Sequence, residues 1–273
     1  EAPAADEPGP VALPAGRDIR FAGPRFGNVL HHALEHADFS AWRGGDGLPE
    51  GQRDVLMQAF EAFGYRREEA EEGLPLLVPL IARTLRARVP GPGGADFRLC
   101  DLDGKDRIDE MEFHFALRGG SVGELLSVLH AHGVLRGRQG FGAWRSLSGL
   151  MTGKIDLTCR VDGRLYVIDY KTNTLPAYDA GTIAQAMADS EYDWQALLYL
   201  VALQRWLRSR LGGAYDFDTH VGGVRYLFCR GLDATAEPVD GVRPGVWAWR
   251  FEPALVEAVD ALFAGRDGAE VAA

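Results

Sequence analysis

GKIDLTCRVDGRLYVIDYKTN, residues 153–173, carries two apolar runs on either side of Asp162-Gly163. An Asp-Gly pair between strand-like runs is a strong short-range hairpin signal, because a tight type I′ turn needs two successive residues at positive φ. Residues 154–161 and 164–171 are therefore expected as paired antiparallel strands. The second run looks like core at Tyr166, Val167, Ile168 and Tyr170, yet Asp169 and Lys171 interrupt it. Strand side chains alternate with a period of two, so Asp169 and Lys171 share one face and Tyr170 points to the other. Pairing back from the turn sets Asp156 opposite or nearly opposite Asp169. Two carboxylates and one ammonium thus converge at the open end of the hairpin.

Carboxylates that close repel each other unless they share a cation. Their oxygens suit Mg²⁺, a hard cation, and a lysine beside them can orient a water or offset charge on a pentacovalent phosphorus. The trio fits phosphodiester hydrolysis. A partly buried Asp169–Lys171 salt bridge explains that pair alone equally well; Asp156 and its Gly153 shift the balance toward a metal site. Only Lys105, Lys154 and Lys171 are lysines among 29 Lys plus Arg. Generic positive charge in this chain is carried by Arg, which weights Lys171 toward a specific task.

The rest of the chain sets bounds. With 273 residues and 47% hydrophobic content there is material for a sizeable core in one or two domains. No apolar run is long enough for a transmembrane helix, and the N-terminus has no signal-peptide pattern. Cys100, Cys159 and Cys229 lack CxxC spacing and read as buried thiols in a reducing cytoplasm. A net charge of −10 argues against a protein that captures free DNA by long-range attraction, but not against a catalytic module handed DNA by a partner. No GxxxxGK phosphate loop occurs, so the chain carries no ATPase motor of its own.

Residues 1–24, rich in Pro, Gly and Ala, read as a linker or lead-in from a longer chain. Helices are expected over 26–39, 50–63, 76–89, 121–133, 179–189, 192–211 and 251–265, and further strands over 97–102, 108–117 and 222–231. The order implies an α/β or α+β layered domain, a sheet flanked by helices. On the first helix, His31 and Glu35 form one i,i+4 pair and His32 and His36 another. His32 and His36 offer half of a zinc site without a convincing third ligand; His31 is the better candidate to reach a carboxylate metal site, with a purely structural helix histidine as the competing reading. On the long helix, Gln195 and Tyr199 share a face; they suit either a DNA-facing role or a surface amide beside a core tyrosine. Residues 101–112, DLDGKDRIDEME, resemble a calcium loop, but Lys105 and Asp106 stand where a ligand and a turn glycine are required. An acidic turn leading into a strand is expected there instead.

Taken together, FGNVLHHALEHADF, GLMTGKIDLTCRVDGRLYVIDYKTN, YDWQALLYLVALQRWLRSRL and GGVRYLFCRG resemble the RecB-like nuclease family, the C-terminal nuclease domain of bacterial exodeoxyribonuclease V, within the PD-(D/E)xK superfamily. The ordered set of helix histidine, GxID, DYK and QxxxY is specific; DYK alone is not. The resemblance implies a restriction-endonuclease-like α/β core over residues 25–273, with a mixed central sheet flanked by helices and an N-terminal helical region. It implies that His31, Asp156, Asp169 and the backbone carbonyl of Tyr170 hold Mg²⁺ (Mn²⁺ and Ca²⁺ being able to take its place), that Lys171 is the catalytic lysine, and that Gln195 and Tyr199 position DNA. Gly153-x-Ile155-Asp156 stands where the wider superfamily has Pro-Asp. The implied activity is Mg²⁺-dependent cleavage of single-stranded DNA delivered by a helicase, with RecC, RecD and the RecB helicase region as partners, in break repair and degradation of DNA ends. Two alternatives remain: a nuclease of the AddAB or Cas4 kind, against which the lack of four cysteines speaks, and an inactive nuclease-fold domain used for guidance, against which the complete residue set speaks.

Overall fold

The computed structural model describes residues 19–45, 47–141 and 146–265. Along the chain run α1 (Gly23–His36), α2 (Arg53–Ala62), α3 (Arg67–Arg86), the short pair β1 (Val89–Pro90) and β2 (Asp96–Phe97), β3 (Arg107–Ser121), α4 (Val122–Ala131), β4 (Ser146–Val161) and β5 (Arg164–Lys171). There follow α5 (Ala180–Asp189), α6 (Tyr192–Leu211), α7 (Phe217–His220), β6 (Val221–Phe228), β7 (Val246–Trp249) and α8 (Pro253–Phe263).

The β4–β5 hairpin forms around Asp162 (φ 48°) and Gly163 (φ 81°), the two positive φ values that the turn requires. Its register runs from Val161↔Arg164 to Leu157↔Ile168; the ladder ends there, and the Asp156 carboxylate instead takes up the Tyr170 backbone N–H. The main sheet has the order β3-β4-β5-β6-β7, antiparallel except between β5 and β6. A parallel pair needs a crossover, and α5, α6 and α7 supply it. This is the mixed α/β architecture expected, with the helical region α1–α3 leading it.

β5 separates two cores. Tyr166, Ile168 and Tyr170 pack among residues of α1, α2 and α3 on one face. Val167 joins Leu197, Leu200, Val224 and Val256 on the other, the side of α6 and α8. With both faces covered, β5 and β6 are buried almost throughout, which is why neither shows a clean polar–apolar alternation.

Several elements differ from the sequence expectation. β4 begins at Ser146, eight residues before the apolar run; its first half pairs only with β3 and is largely exposed, so its composition carries no burial signal. Residues 97–102 do not form a strand. Only Asp96–Phe97 pairs, and Leu99–Asp101 is a 3₁₀ turn closed by Arg98, whose Nε donates to Asp101 Oδ2 at 2.7 Å. The helix expected from residue 76 starts at Arg67, where the Glu69 carboxylate accepts the Arg66 N–H. It runs through Pro75 and Pro79, and the helical bonds their rings forfeit fall to carbonyls of Glu71 and Pro75, both exposed and open to water. The short elements α7 and β7 were not expected at all. Residues 101–112 form 3₁₀ turns entering β3 with no preceding helix, unlike a calcium-binding helix–loop–helix. Of the lead-in expected over 1–24, residues 1–18 lie outside the described residues; Ile19–Phe21 forms a 3₁₀ turn whose Phe21 is buried.

Leu30, on the buried face of α1, is fully enclosed. Leu30→Ala is expected to lower unfolding free energy by about 2–5 kcal/mol, read from urea denaturation midpoints.

Candidate active site

Two close approaches set the site. α1 crosses the end of β5 so tightly that a Cβ on Gly27 would lie 2.8 Å from Thr172 Oγ1, the residue after Lys171. One turn later His31 reaches the hairpin. On the sheet, Gly153 pairs with Phe113, whose ring lies where a Gly153 Cβ would come within 2.4 Å of it. That ring meets Tyr199 edge-on at 6.1 Å, and burial together with the nearby Asp169 carboxylate pushes the Tyr199 phenol well above its usual value.

The polar groups then interlock. His31 Nδ1 stands 3.4 Å from Asp156 Oδ1, and the Tyr170 backbone N–H donates to Asp156 Oδ2 at 2.8 Å. Lys171 Nζ lies 2.8 Å from Asp169 Oδ2 and donates to Gln195 Oε1 at 3.2 Å. The Tyr226 hydroxyl donates to the same Gln195 oxygen at 2.8 Å. The ammonium also lies 3.9 Å from the ring centre of Tyr192 and 5.0 Å from that of Tyr226, cation–π distances that favour its charged form.

The electrostatics divide the carboxylates. Burial pushes Asp169 up, Lys171 opposes it and the charge of Asp156 adds to it; the outcome is a carboxyl raised to about 6. Burial also works against the Asp156 charge, but His31, the Tyr170 N–H and Lys171 outweigh it and hold that carboxyl below its usual range. His31 is drawn down by burial, yet Asp156 and Asp169 carry it above its ordinary value. Lys171 behaves likewise: burial lowers it, and Asp169, Tyr192 and Asp156 raise it further.

The residues fit a cation. Asp169 Oδ2 is buried and, despite the nearby ammonium, has no partner in hydrogen-bond geometry. A buried, under-satisfied carboxylate oxygen beside a second carboxylate and an imidazole is a donor set for a divalent ion. A separate group, His32, Glu35 and His36, lies at the end of α1 with ligand atoms all within 4.8 Å of one another, so a cluster able to coordinate a metal ion is present there as well.

The structure brings His31, Asp156, Asp169, Tyr170, Lys171, Gln195 and Tyr199 into one place. Tyr170 turns its side chain into the core beside His31, 6.0 Å between ring centres. Gln195 and Tyr199 direct their polar atoms at Lys171 and Asp169. Sequence reasoning missed Tyr192 and Tyr226. Tyr192 opens α6 three residues before Gln195, and Tyr226 lies directly across the parallel ladder from Asp169, a pairing that only the structure reveals.

A model of the PD-(D/E)XK nuclease superfamily matches residues 11–266. The RecBCD enzyme subunit RecB of Mycolicibacterium smegmatis is 35% identical over 289 residues, covering 94% of this chain and 25% of the relative. That of Haemophilus influenzae is 34% identical, covering 82% and 18%; that of Escherichia coli is 32% identical, covering 88% and 19%. The chain spans a quarter or less of these relatives' length. Among the described residues no helix is long and apolar enough to cross a membrane.

The charge balance at His31 is directly measurable. In an NMR pH titration its imidazole is expected to titrate above 6.5, and Asp156→Asn is expected to bring it down, because burial and Lys171 then act with less opposition. An unchanged titration would contradict the pairing.

Proposed function

The chain belongs to the PD-(D/E)XK nuclease superfamily and is homologous to RecB subunits, and from that membership we propose that it hydrolyses DNA phosphodiester bonds with Mg²⁺. The observation that carries the proposal is the convergence of Asp156, Asp169, Lys171 and His31 at one end of the hairpin. In this assignment His31, Asp156, Asp169 and the Tyr170 carbonyl hold the ion. Mg²⁺ held by these residues would supply polarisation of the scissile phosphate and a lowered pKa for a water. The Tyr170 N–H fixes the orientation of Asp156, and Tyr199 stands near Asp169. Lys171 stays an ammonium, donates to the attacking water or a phosphate oxygen, and offsets the negative charge that builds on phosphorus. Gln195 and Tyr199 position the substrate through the two groups they face.

The substrate is single-stranded DNA fed by a helicase. The relatives' designation as RecBCD subunits, the absence of a phosphate loop in this sequence and its net charge of −10 all favour a nuclease that receives its strand from a motor. The proposed setting is a RecBCD assembly with RecC, RecD and a RecB helicase region, processing DNA ends in break repair. Three buried free thiols suit the cytoplasm. An inactive guiding domain would not need this residue set kept whole.

Incubated with single-stranded DNA and Mg²⁺, the chain is expected to cut, and Lys171→Ala to cut slower by at least about 10²-fold while keeping its circular dichroism spectrum. Equal cutting by the two, or no Mg²⁺-dependent cutting by either, overturns the assignment.

Ion binding is expected to depend on pH. Asp169, raised to about 6, gains a proton as pH falls through that value. His31, raised by its carboxylate neighbours, is protonated over the same range. Both must lose protons to ligate, so Mn²⁺ affinity falls as pH drops from 7 to 5, by roughly tenfold per unit for each proton released. Calorimetry in buffers of different ionisation enthalpy reads the protons; affinity independent of pH contradicts the account.

A further inference from the structure

The last turn of α1 carries a group that the carboxylate site does not use. His31 turns toward Asp156, whereas His32, Glu35 and His36 face one another, at i, i+3 and i+4. The two imidazole rings lie 4.2 Å apart between centres. Glu35 Oε2 is 3.5 Å from His32 Nδ1 and 3.6 Å from His36 Nδ1. One ligand atom from each of the three can gather within 4.8 Å of the others, close enough for small side-chain rotations to close on one ion.

Second contacts prepare these rings as ligands. His36 Nδ1 lies 3.0 Å from the His32 carbonyl oxygen; a hydrogen there donates to it and leaves the lone pair on Nε2. The His32 ring meets Phe63 edge-on at 5.9 Å, which limits its rotation. Asp109, on β3, is near enough to feel the charges of both Glu35 and His36, and is itself paired with Arg107. Two cations stand nearby, and each is engaged: Lys154 by Glu110 and Arg107 by Asp109. The three side chains are 31%, 26% and 50% exposed, so an ion can enter from solvent while the helix holds the donors in place.

Two imidazole nitrogens and one carboxylate oxygen are a borderline donor set. Zn²⁺ takes such ligands and completes its shell with water, whereas Mg²⁺ prefers oxygen alone. We propose that His32, Glu35 and His36 form a second cation site, selective for Zn²⁺ over Mg²⁺ and distinct from the carboxylate site. An ion bound there ties two turns of α1 together immediately beyond His31.

Calorimetric titration with Zn²⁺ in millimolar Mg²⁺ tests this, with Co²⁺ visible absorption reporting nitrogen ligation. One equivalent is expected to bind to the wild-type chain and to Asp169→Asn alike, and to bind more than about tenfold more weakly to His36→Ala and to the similarly sized His36→Gln. Absence of Zn²⁺ binding by the wild-type chain, binding unchanged in both His36 variants, or binding lost in Asp169→Asn overturns the proposal. Circular dichroism identifies any variant that fails to fold, and the half-exposed position of His36 makes the glutamine variant the safer of the two.

Discussion

A carboxylate buried in the middle of a sheet is the constraint on which the rest depends. Asp169 retains 2% exposure, between Tyr170 and Ile168 on its own strand and beside Tyr226 on the next. A charge placed there is costly unless it is paired and hydrogen-bonded. Lys171 pairs it from the same strand face, and Tyr199 stands near it from α6. Lys171 is itself buried and needs support of its own, which Gln195 and the faces of Tyr192 and Tyr226 provide. Asp169 Oδ2 meets the ammonium as an ion pair without hydrogen-bond geometry, and with Asp156 and His31 beside it the group offers a donor set for a cation.

Asp156 is the counterpart in a different environment. It sits where the β4–β5 ladder ends and accepts a main-chain N–H as well as facing an imidazole, so it keeps its charge more readily than Asp169. The site therefore lies at the end of β5, where the two layers of the fold meet. α6 approaches Asp169 and Lys171 from one face, and α1 brings His31 to Asp156 beside Tyr170 on the other. Neither layer alone assembles the group.

What the sequence disclosed follows from periodicity. The hairpin and the shared face of Asp169 and Lys171 are consequences of a period of two and a turn of known chemistry, and α6 appears over the expected residues. His31 is the better candidate among three crowded histidines, and it is the one that faces the hairpin, 3.4 Å from Asp156. Tyr192 and Tyr226 were invisible in the sequence. A tyrosine in an apolar helix or strand looks like core, and both residues do belong to that packing while also flanking the lysine. The strand misread at 97–102 fails on side-chain chemistry, since an Arg98–Asp101 bond closes a turn that an apolar pattern does not reveal.

Anomalous diffraction from crystals soaked in Mn²⁺ tests the central claim most directly. The account predicts a manganese peak within coordination distance of carboxylate oxygens of both Asp156 and Asp169 and of the His31 imidazole. Crystals that take up manganese elsewhere, with no peak between those two carboxylates, would contradict it.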